Sequence, residues 1–317
     1  MLLHAPYNLH IAGAFRRRYA FAAVPASLPH CRSRTMTAVQ TQEWTIARSD
    51  TLSLHARAWT GPEAPRAVVV INHGFLAHSG QYDGTARELV ARGFNVYAYD
   101  MRGHGKSGGD RYWVDTYGDC VNDLAAFVEQ VRAREPGQQL FLYGHSAGGV
   151  ISTVFVQQHA ELINGFICAS FAFEVPPPEF LLQALRVVGD LIPRAPLLSL
   201  NPADFSRDPA VVEAIRNDPL VIHEPGPGHT LAELIRAHDH LGKTFGEVRL
   251  PVFIIHGTAD KATRPHGSQR FYDEAGSHDK MLRLYEDHVH DLLVDYGKEQ
   301  VLNDIVAWIN ARITTAH

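Results

Sequence analysis

The chain has 317 residues, of which 45% are hydrophobic and 20% are charged, a composition typical of a globular protein with a large core. The net charge is −5, and because five arginines lie within residues 1–36, the remainder carries ten more acidic than basic residues, which argues against nucleic-acid binding. Three scattered cysteines, Cys31, Cys120 and Cys168, argue against a disulfide framework or a zinc site, and no apolar run reaches the ~18 residues of a membrane span.

Residues 1–36 contain five arginines, no lysine and no acidic residue. This composition favours a translation start at Met36, with a cleaved signal or transit peptide as the alternative. Under either interpretation we expect residues 1–41 to be a leader that does not belong to the fold. The scattered cysteines are compatible with a reducing compartment, so we expect a cytoplasmic protein that can associate with membranes.

Apolar segments predict eight strands along the chain. An antiparallel hairpin at residues 43–47 and 52–59 is followed by six strands, at residues 67–71, 94–99, 140–143, 165–170, 251–256 and 281–285. Helical periodicity separates the strands, at residues 86–91, 117–133, 150–158 and 301–313. This alternation predicts an α/β fold with a mostly parallel eight-stranded sheet, helices on both faces and a ligand site at the carboxyl ends of the strands.

Residues 171–243 interrupt the alternation, because they show no strand pattern and are predicted as helices at residues 180–192, 211–216 and 231–240. We therefore expect a helical cap at residues 171–243, inserted in a core formed by residues 42–170 and 244–317. The first cap helix is apolar over most of its surface. Its apolar positions pack on the core below, or part of them lines an apolar substrate tunnel or contacts lipid, and these alternatives do not exclude one another.

Two segments match the pattern Gly-x-Ser-x-Gly, and their contexts separate them. The segment at residues 144–148 has a strand directly before it and a helix directly after it, so Ser146 would lie at a sharp strand–turn–helix corner. The segment at residues 105–109 lies in a glycine-rich loop beyond its strand, with no helix directly after it. The sequence therefore predicts Ser146, rather than Ser107, as a nucleophile.

A serine nucleophile needs a base to take its proton and an acid to orient the base, and in this architecture both follow later strands. Asp260 follows the strand at residues 251–256 and is the candidate acid; the alternative is an ordinary turn residue. His288 and His290 both follow the next strand, so either is a candidate base. A His-x-His pair can also bind metal, but no third ligand has suitable spacing, so we expect no metal ion.

The oxyanion of a tetrahedral intermediate also needs two backbone amides. One would be the amide of Ala147, directly after the nucleophile, and the other the amide of Phe75, in the loop after the strand at residues 67–71. We expect the substrate to contact four side chains, those of Phe75, Leu76, His145 and Phe173.

Five stretches make the chain similar to the α/β-hydrolase superfamily, and within it to the monoacylglycerol lipase and lysophospholipase branch. They are residues 73–82, beginning His-Gly-Phe; residues 100–107, Asp-Met-Arg-Gly-His-Gly-Lys-Ser; residues 144–149, Gly-His-Ser-Ala-Gly-Gly; the cap motifs at residues 206–209 and 217–221; and residues 256–260, His-Gly-Thr-Ala-Asp. The resemblance extends from about residue 43 to residue 313.

The resemblance implies a catalytic triad of Ser146, Asp260 and His290, because the base in this family lies in the stretch that opens the last helix. It also implies that the loop at residues 100–107 supports the site. Two departures concern the substrate: residues 75–77 read Phe-Leu-Ala where the family has a segment ending in Gly-Glu, and Ala147 stands where methionine is common. The first departure favours a bulkier or more apolar ester than a glycerol ester.

The sequence thus predicts a cofactor-free serine hydrolase that cleaves carboxylic esters, such as monoacylglycerols, lysophospholipids or other short and medium acyl esters, through an acyl-enzyme intermediate. Alternatives with the same residues are a thioesterase, an amidase or peptidase, a perhydrolase, and a receptor that binds its ligand without turnover. We expect a small-molecule or lipid ester as substrate, no nucleic-acid partner, and transient membrane contact through the cap.

Overall fold

The computed structural model of the protein describes residues 38–49 and 51–313. Most of the predicted leader, with Cys31 and the start candidate Met36, therefore lies outside the described residues. The first strand begins at Gln40, so the last two residues of the predicted leader belong to the sheet. Among the described residues, no helix combines the length and the apolar composition needed to cross a membrane.

The described residues form ten strands, and eight of them belong to one sheet. The strands are β1 (Gln40–Ala47), β2 (Ser53–Thr60), β3 (Ala67–Asn72), β4 (Phe94–Tyr99), β5 (Leu140–His145), β6 (Gly165–Ala169), β7 (Pro196–Leu198), β8 (Gly226–Pro227), β9 (Val252–Gly257) and β10 (Lys280–Tyr285). The sheet order is β1-β2-β4-β3-β5-β6-β9-β10. Because only the pairs β1–β2 and β2–β4 are antiparallel, the prediction of a mostly parallel eight-stranded sheet is confirmed.

Helices connect the strands and cover both faces of the sheet. They are α1 (Asp83–Ala91), α2 (Tyr117–Arg134), α3 (Ala147–Gln158), α4 (Glu179–Leu191), α5 (Pro209–Asn217), α6 (Gly228–Thr244), α7 (Pro265–Glu274) and α8 (Lys298–Asn310). Apolar side chains of α2 and α3 pack on one face, and those of α1 and α8 pack on the other. This is the arrangement that alternating strands and helices predict.

The central strand β3 shows why its sequence is continuously apolar rather than alternating. Val68 and Val70 pack into the core on one face of the sheet, whereas Val69 and Ile71 pack into the core on the other. All four side chains are buried. A strand that is covered on both faces needs apolar residues at every position.

Residues 171–243, here called the cap segment, lie between β6 and β9 and contain α4, α5 and α6. The prediction that this segment contains no strand is wrong, because β7 and β8 pair antiparallel within it. Strands of three and two residues that include prolines are too short to show an alternating pattern. The helix α4 packs on α6 at Gly189, where an added Cβ would clash with the carbonyl oxygen of Gly228.

Candidate active site

The structure places Ser146 at the sharp corner between β5 and α3. Its φ of 56° and ψ of −122° lie in a region that residues with side chains rarely adopt, so this corner is strained. The flanking positions 144 and 148 require glycine, because a side chain at either one would clash with neighbouring atoms. A Cβ on Gly144 would lie 2.6 Å from Oγ of Ser152, and a Cβ on Gly148 would clash with the carbonyl oxygen of His73.

Asp260 and His290 lie beyond the carboxyl ends of the neighbouring strands β9 and β10, and their side chains meet. Nδ1 of His290 lies 2.8 Å from Oδ2 of Asp260, and both side chains are buried. The other candidate base, His288, instead donates from Nδ1 to the carbonyl oxygen of Glu286 at 2.9 Å. Of the two histidines that the sequence leaves open, His290 is the one in contact with the acid.

Ser146 and His290 share the wall of one cavity, whose volume is about 330 Å³. Nε2 of His290 is buried and has no hydrogen-bond partner among the described residues. Because Nδ1 faces Asp260, this nitrogen is the one left to accept a proton from a group in the cavity. The described residues show no direct hydrogen bond between Ser146 and His290, and such catalytic bonds often shorten only when substrate binds.

The carboxylate of Asp260 is surrounded by donors. Its Oδ1 accepts from the backbone amides of Ala262 at 2.8 Å and Thr263 at 3.0 Å. Its Oδ2 accepts from the hydroxyl of Thr263 at 2.9 Å and from His290, and it lies 3.1 Å from Nε2 of His256. Burial alone would raise the pKa of Asp260, but the charge of His290 and hydrogen bonds from both histidines hold that pKa far below its usual value.

The sequence did not identify Thr263 and His256 as neighbours of Asp260. Both lie within four residues of Asp260, so the signal that could have found them is proximity in the loop after β9. The backbone amide and the hydroxyl of Thr263 both donate to the carboxylate of Asp260. A short polar residue three positions after an aspartate in a turn is placed to make such bonds.

His145, predicted as a substrate contact, is buried behind the base and does not line the cavity. Its Nε2 donates to the carbonyl oxygen of His290 at 3.2 Å, and the hydroxyl of Ser170 donates to the same oxygen at 2.5 Å. Burial and the adjacent His290 lower the pKa of His145 to about 3, so the ring is neutral near pH 7. These bonds hold the backbone of His290 in place.

The backbone amides of Phe75 and Ala147 are both available at the site. Ala147 is the first residue of α3, so its amide has no acceptor within the helix. No hydrogen bond among the described residues uses the amide of Phe75. Both residues line the cavity, and their side chains pack in one apolar cluster. Leu76 belongs to the same cluster but does not line the cavity, whereas Phe173 does.

The loop at residues 100–107 lies beneath the site. Asp100 accepts hydrogen bonds from the amides of Ser79 at 2.7 Å and Lys106 at 2.8 Å, and the amide of Met101 donates to Nε2 of His73 at 2.9 Å. Ser107 is buried and donates to the carbonyl oxygen of Asp100 at 2.5 Å. The hydroxyl of Ser107, the serine of the second Gly-x-Ser-x-Gly segment, therefore makes a structural hydrogen bond.

The cavity wall is mostly apolar and is built largely by the cap segment. The cap segment contributes leucines, isoleucine and phenylalanine, namely Leu182, Leu185, Leu197, Leu198, Leu200, Phe205, Leu231, Leu234 and Ile235. A smaller polar group on the wall comprises Ser199, Asn201, Asp204 and Lys261. The apolar pattern of the first cap helix left a lining of the substrate site as one of its alternatives, but it did not identify these residues.

One group of potential metal ligands occurs among the described residues, formed by Glu179, His238 and Asp239. Its two carboxylates already accept from the amide of Gln183, at 2.7 Å and 3.1 Å. Nδ1 of His238 donates to the carbonyl oxygen of Phe173 at 2.8 Å. These side chains therefore have protein partners, and the His-x-His pair at residues 288–290 does not belong to the group.

Comparisons with known proteins identify the family of the chain. The family model Hydrolase_4, described as serine aminopeptidase, S33, matches residues 63–297. The monoacylglycerol lipase of Mycolicibacterium smegmatis is 31% identical over 255 residues, which cover 79% of this chain and 90% of that protein. A crystal structure of the Paleococcus ferrophilus monoacylglycerol lipase superposes with a TM-score of 0.73 and 30% identity, covering 82% of this chain and 99% of that chain.

A plant relative has a different named substrate. The caffeoylshikimate esterase of Arabidopsis thaliana is 30% identical over 262 residues, which cover 78% of this chain and 79% of that protein. The family model covers well over half of the chain, and the relatives are matched over most of their own length. The chain therefore belongs to the Hydrolase_4 family of α/β-hydrolases and is a carboxylic ester hydrolase similar to monoacylglycerol lipases.

Proposed function

We propose that the protein cleaves lipid-like carboxylic esters, with monoacylglycerols and lysophospholipids as the candidate class, by a Ser146–His290–Asp260 triad. The observation that carries the proposal is the apolar cavity on which Ser146 and the unpaired Nε2 of His290 both border. A serine hydroxyl becomes a nucleophile only when such a base can take its proton.

In the proposed reaction, Oγ of Ser146 attacks the ester carbonyl carbon while Nε2 of His290 takes the hydroxyl proton. The amides of Phe75 and Ala147 donate to the oxyanion, and the N-terminus of α3 adds a favourable dipole. His290 then passes the proton to the leaving alcohol, which leaves an acyl group on Ser146. Water attacks the acyl carbon with His290 again as base, and the carboxylic acid is released.

Asp260 orients His290 in this mechanism and stabilises the imidazolium form. The lowered pKa of Asp260 means that the acid stays ionised at any pH at which the protein is expected to be active. The hydrogen bond of 2.8 Å to Nδ1 keeps Nε2 as the nitrogen that faces the cavity.

The cavity supports an apolar acyl group as the main recognition element. A volume of about 330 Å³ lined by cap leucines accommodates a hydrocarbon chain of moderate length. The few polar residues on the wall, including Asn201 and Asp204, are candidates to bind the alcohol. The monoacylglycerol lipase relatives favour a glycerol ester, whereas Phe75, Leu76 and Ala77 favour a bulkier alcohol.

We further propose that residues 171–243 form a cap over the core and that its first helix contacts lipid. Exposed apolar side chains concentrate on α4 and directly after it, at Phe180, Leu181, Val187, Val188, Leu191 and Ile192. Phe180 and Leu191 are 78% and 76% exposed, which is costly in water unless a partner covers them.

Vesicle co-sedimentation tests the cap proposal. The double variant Phe180→Ser with Leu191→Ser should lose binding to phosphatidylcholine vesicles, whereas Leu284→Ser on β10, 43% exposed, should bind as wild type. Equal binding by all three proteins would contradict the proposal and leave the ester chemistry unaffected.

An acyl-length series of 4-nitrophenyl esters, measured alongside a monoacylglycerol and a lysophospholipid, tests the main proposal. Hydrolysis of the lipid esters, with an optimum at medium or long chains and loss of turnover in Ser146→Ala, is the expected result. Turnover of thioesters or amides in preference to esters would redirect the proposal to one of those reactions. Binding of esters without any turnover would favour a receptor.

A further inference from the structure

We propose that His256 is a positioning residue for the base, and that it extends the activity of the enzyme toward lower pH. It does so by donating a hydrogen bond to Oδ2 of Asp260, the same oxygen that receives the hydrogen bond of His290. The inference rests on the triad of the proposed function and adds a residue to it.

The side chain of His256 lies in the interior of the protein, at the end of β9, and has no exposed surface. Its Nε2 lies 3.1 Å from Oδ2 of Asp260 and 3.2 Å from Oγ1 of Thr263. Its Nδ1 lies 2.7 Å from Oγ of Ser268, a buried residue of α7. The imidazole therefore joins α7 to the acid through its two ring nitrogens.

The hydroxyl of Ser268 can donate to or accept from Nδ1, so the carboxylate of Asp260 decides which nitrogen of His256 carries the proton. A hydroxyl can donate to Nδ1, and the proton of a neutral imidazole then resides on Nε2. That proton lies within reach of Oδ2 of Asp260, 3.1 Å from Nε2, and of Oγ1 of Thr263, 3.2 Å from Nε2. The opposite tautomer would place a lone pair of Nε2 against the negatively charged Oδ2, 3.1 Å away, which is repulsive.

Sharing one carboxylate oxygen among several donors weakens each bond that it makes. Oδ2 of Asp260 accepts from His290 and from the hydroxyl of Thr263, and Nε2 of His256, 3.1 Å away, is the third donor within reach. Donors stabilise the ionised acid and reduce its basicity, so less of its charge is available to stabilise the imidazolium form of His290. We therefore expect the activity to extend to a lower pH with His256 in place than without its donor.

Other groups also face the base and the acid. The ring of His145 on β5 lies 4.9 Å from the ring of His290, and burial lowers the pKa of His145 to about 3. Asp291 follows His290 in the chain, and burial raises its pKa to about 6. Lys261 is exposed beside the acid, and Phe205 of the cap segment presents an apolar ring to the base. Because all four remain in the variants below, a change between their profiles reports on His256.

The test compares three proteins by the pH dependence of kcat/KM for 4-nitrophenyl butyrate, with the product quantified by chromatography. His256→Phe keeps an aromatic ring and removes the donor, whereas His256→Gln keeps an N–H group near the position of Nε2. The acidic limb of the profile should move upward by about 0.5 to 1 pH unit in His256→Phe, the effect of losing one net hydrogen bond. His256→Gln should return the limb to the wild-type position.

The outcomes separate this inference from the proposed function. If hydrolysis by the wild type does not require Ser146, the proposed function fails and the inference fails with it. If Ser146-dependent hydrolysis persists in His256→Phe with an unmoved acidic limb, His256 is only a packing residue, and the inference is overturned while the function stands.

If His256→Phe does not fold, nitrogen NMR on wild-type protein with 15N-labelled histidine tests the inference instead. A protonated Nε2 and an unprotonated Nδ1 at His256 near neutral pH are the expected result. An unprotonated Nε2 at His256 would overturn the inference, because the donor that it requires would be absent.

Discussion

Gly74 touches Ser146 across the site: a Cβ built on Gly74 would lie 2.8 Å from Cβ of the serine. This contact brings the loop after β3 against the corner between β5 and α3. The loop carries the amide of Phe75, and the corner carries the amide of Ala147. The close approach of Gly74 is therefore what brings the two proposed oxyanion donors to one place.

Gly74→Ala should separate these two donors. The added methyl group must push the loop away from Ser146, so the amide of Phe75 would no longer reach the oxyanion. We expect kcat for 4-nitrophenyl esters to fall by about 10²-fold, the effect of losing one oxyanion donor. Gly84→Ala on α1 is the matched control, because a Cβ there meets no atom within 4 Å. A wild-type kcat in Gly74→Ala would contradict the proposed oxyanion hole.

The two histidines after β10 should differ sharply when each is replaced by alanine. His290→Ala removes the group bonded to Asp260 and should lower kcat by at least ~10³-fold. His288→Ala removes a ring that bonds only to the carbonyl oxygen of Glu286, so it should keep most of the activity. Steady-state ester hydrolysis with folded variants measures both, and the reverse order would make His288 the base.

Asp291 should destabilise the protein at neutral pH. Its pKa in the folded protein is raised to about 6, mainly by burial, whereas in the unfolded chain it is near the ordinary value of about 4. Ionisation of this raised group therefore opposes folding, and its contribution to stability is lost as the pH rises from about 4 to about 6. Asp291→Asn should raise the free energy of unfolding well above pH 6 by about 3 kcal/mol.

Urea unfolding at about pH 4 and about pH 8 measures this difference. The variant should gain stability over wild type only at the higher pH. Asp287→Asn, an exposed position in the same loop, should show no such gain. A loss of stability in Asp291→Asn at the higher pH would show that the carboxylate is favourably bound rather than strained by burial.

The cap segment should determine acyl chain length through the wall of the cavity. Leu185 lines the cavity from α4, whereas Leu181 lies on the same helix, is 40% exposed and does not line it. Leu185→Trp adds bulk to the wall and should shift the preferred acyl chain toward shorter esters. Leu181→Trp should leave the chain-length profile of 4-nitrophenyl esters unchanged. Equal profiles for the two variants would mean that this cavity does not hold the acyl chain.

The sheet was predictable because its strands carry local signals. In β3 and β9 every side chain is buried, so an unbroken apolar run marks each of them. The pair β7–β8 in the cap segment could not be predicted, because two or three residues with prolines carry no period. The same limit applies to the start of β1 at Gln40, where exposed polar residues pair with β2.

The candidate site divides in a similar way. The sequence shows where each strand ends and in which order the strands follow. These two features predict the positions of Ser146, Asp260 and His290. The hydrogen bonds of His145 and Ser170 to the backbone of His290 join three elements that are distant in the chain, and no local pattern specifies them. Leu76 illustrates the converse, because it directly follows Phe75, the proposed oxyanion residue, in the chain but does not line the cavity.

Labelling with a fluorophosphonate ester tests the central claim most directly, because the probe bonds only to an activated nucleophile. Intact-mass and peptide mass spectrometry should find one phosphonyl group, on the peptide that contains Ser146. The Ser146→Ala variant should remain unlabelled, and Ser107→Ala should label as wild type if it folds. Labelling at another residue, or no labelling of a folded wild-type protein that binds esters, would contradict the assignment of Ser146 as the nucleophile.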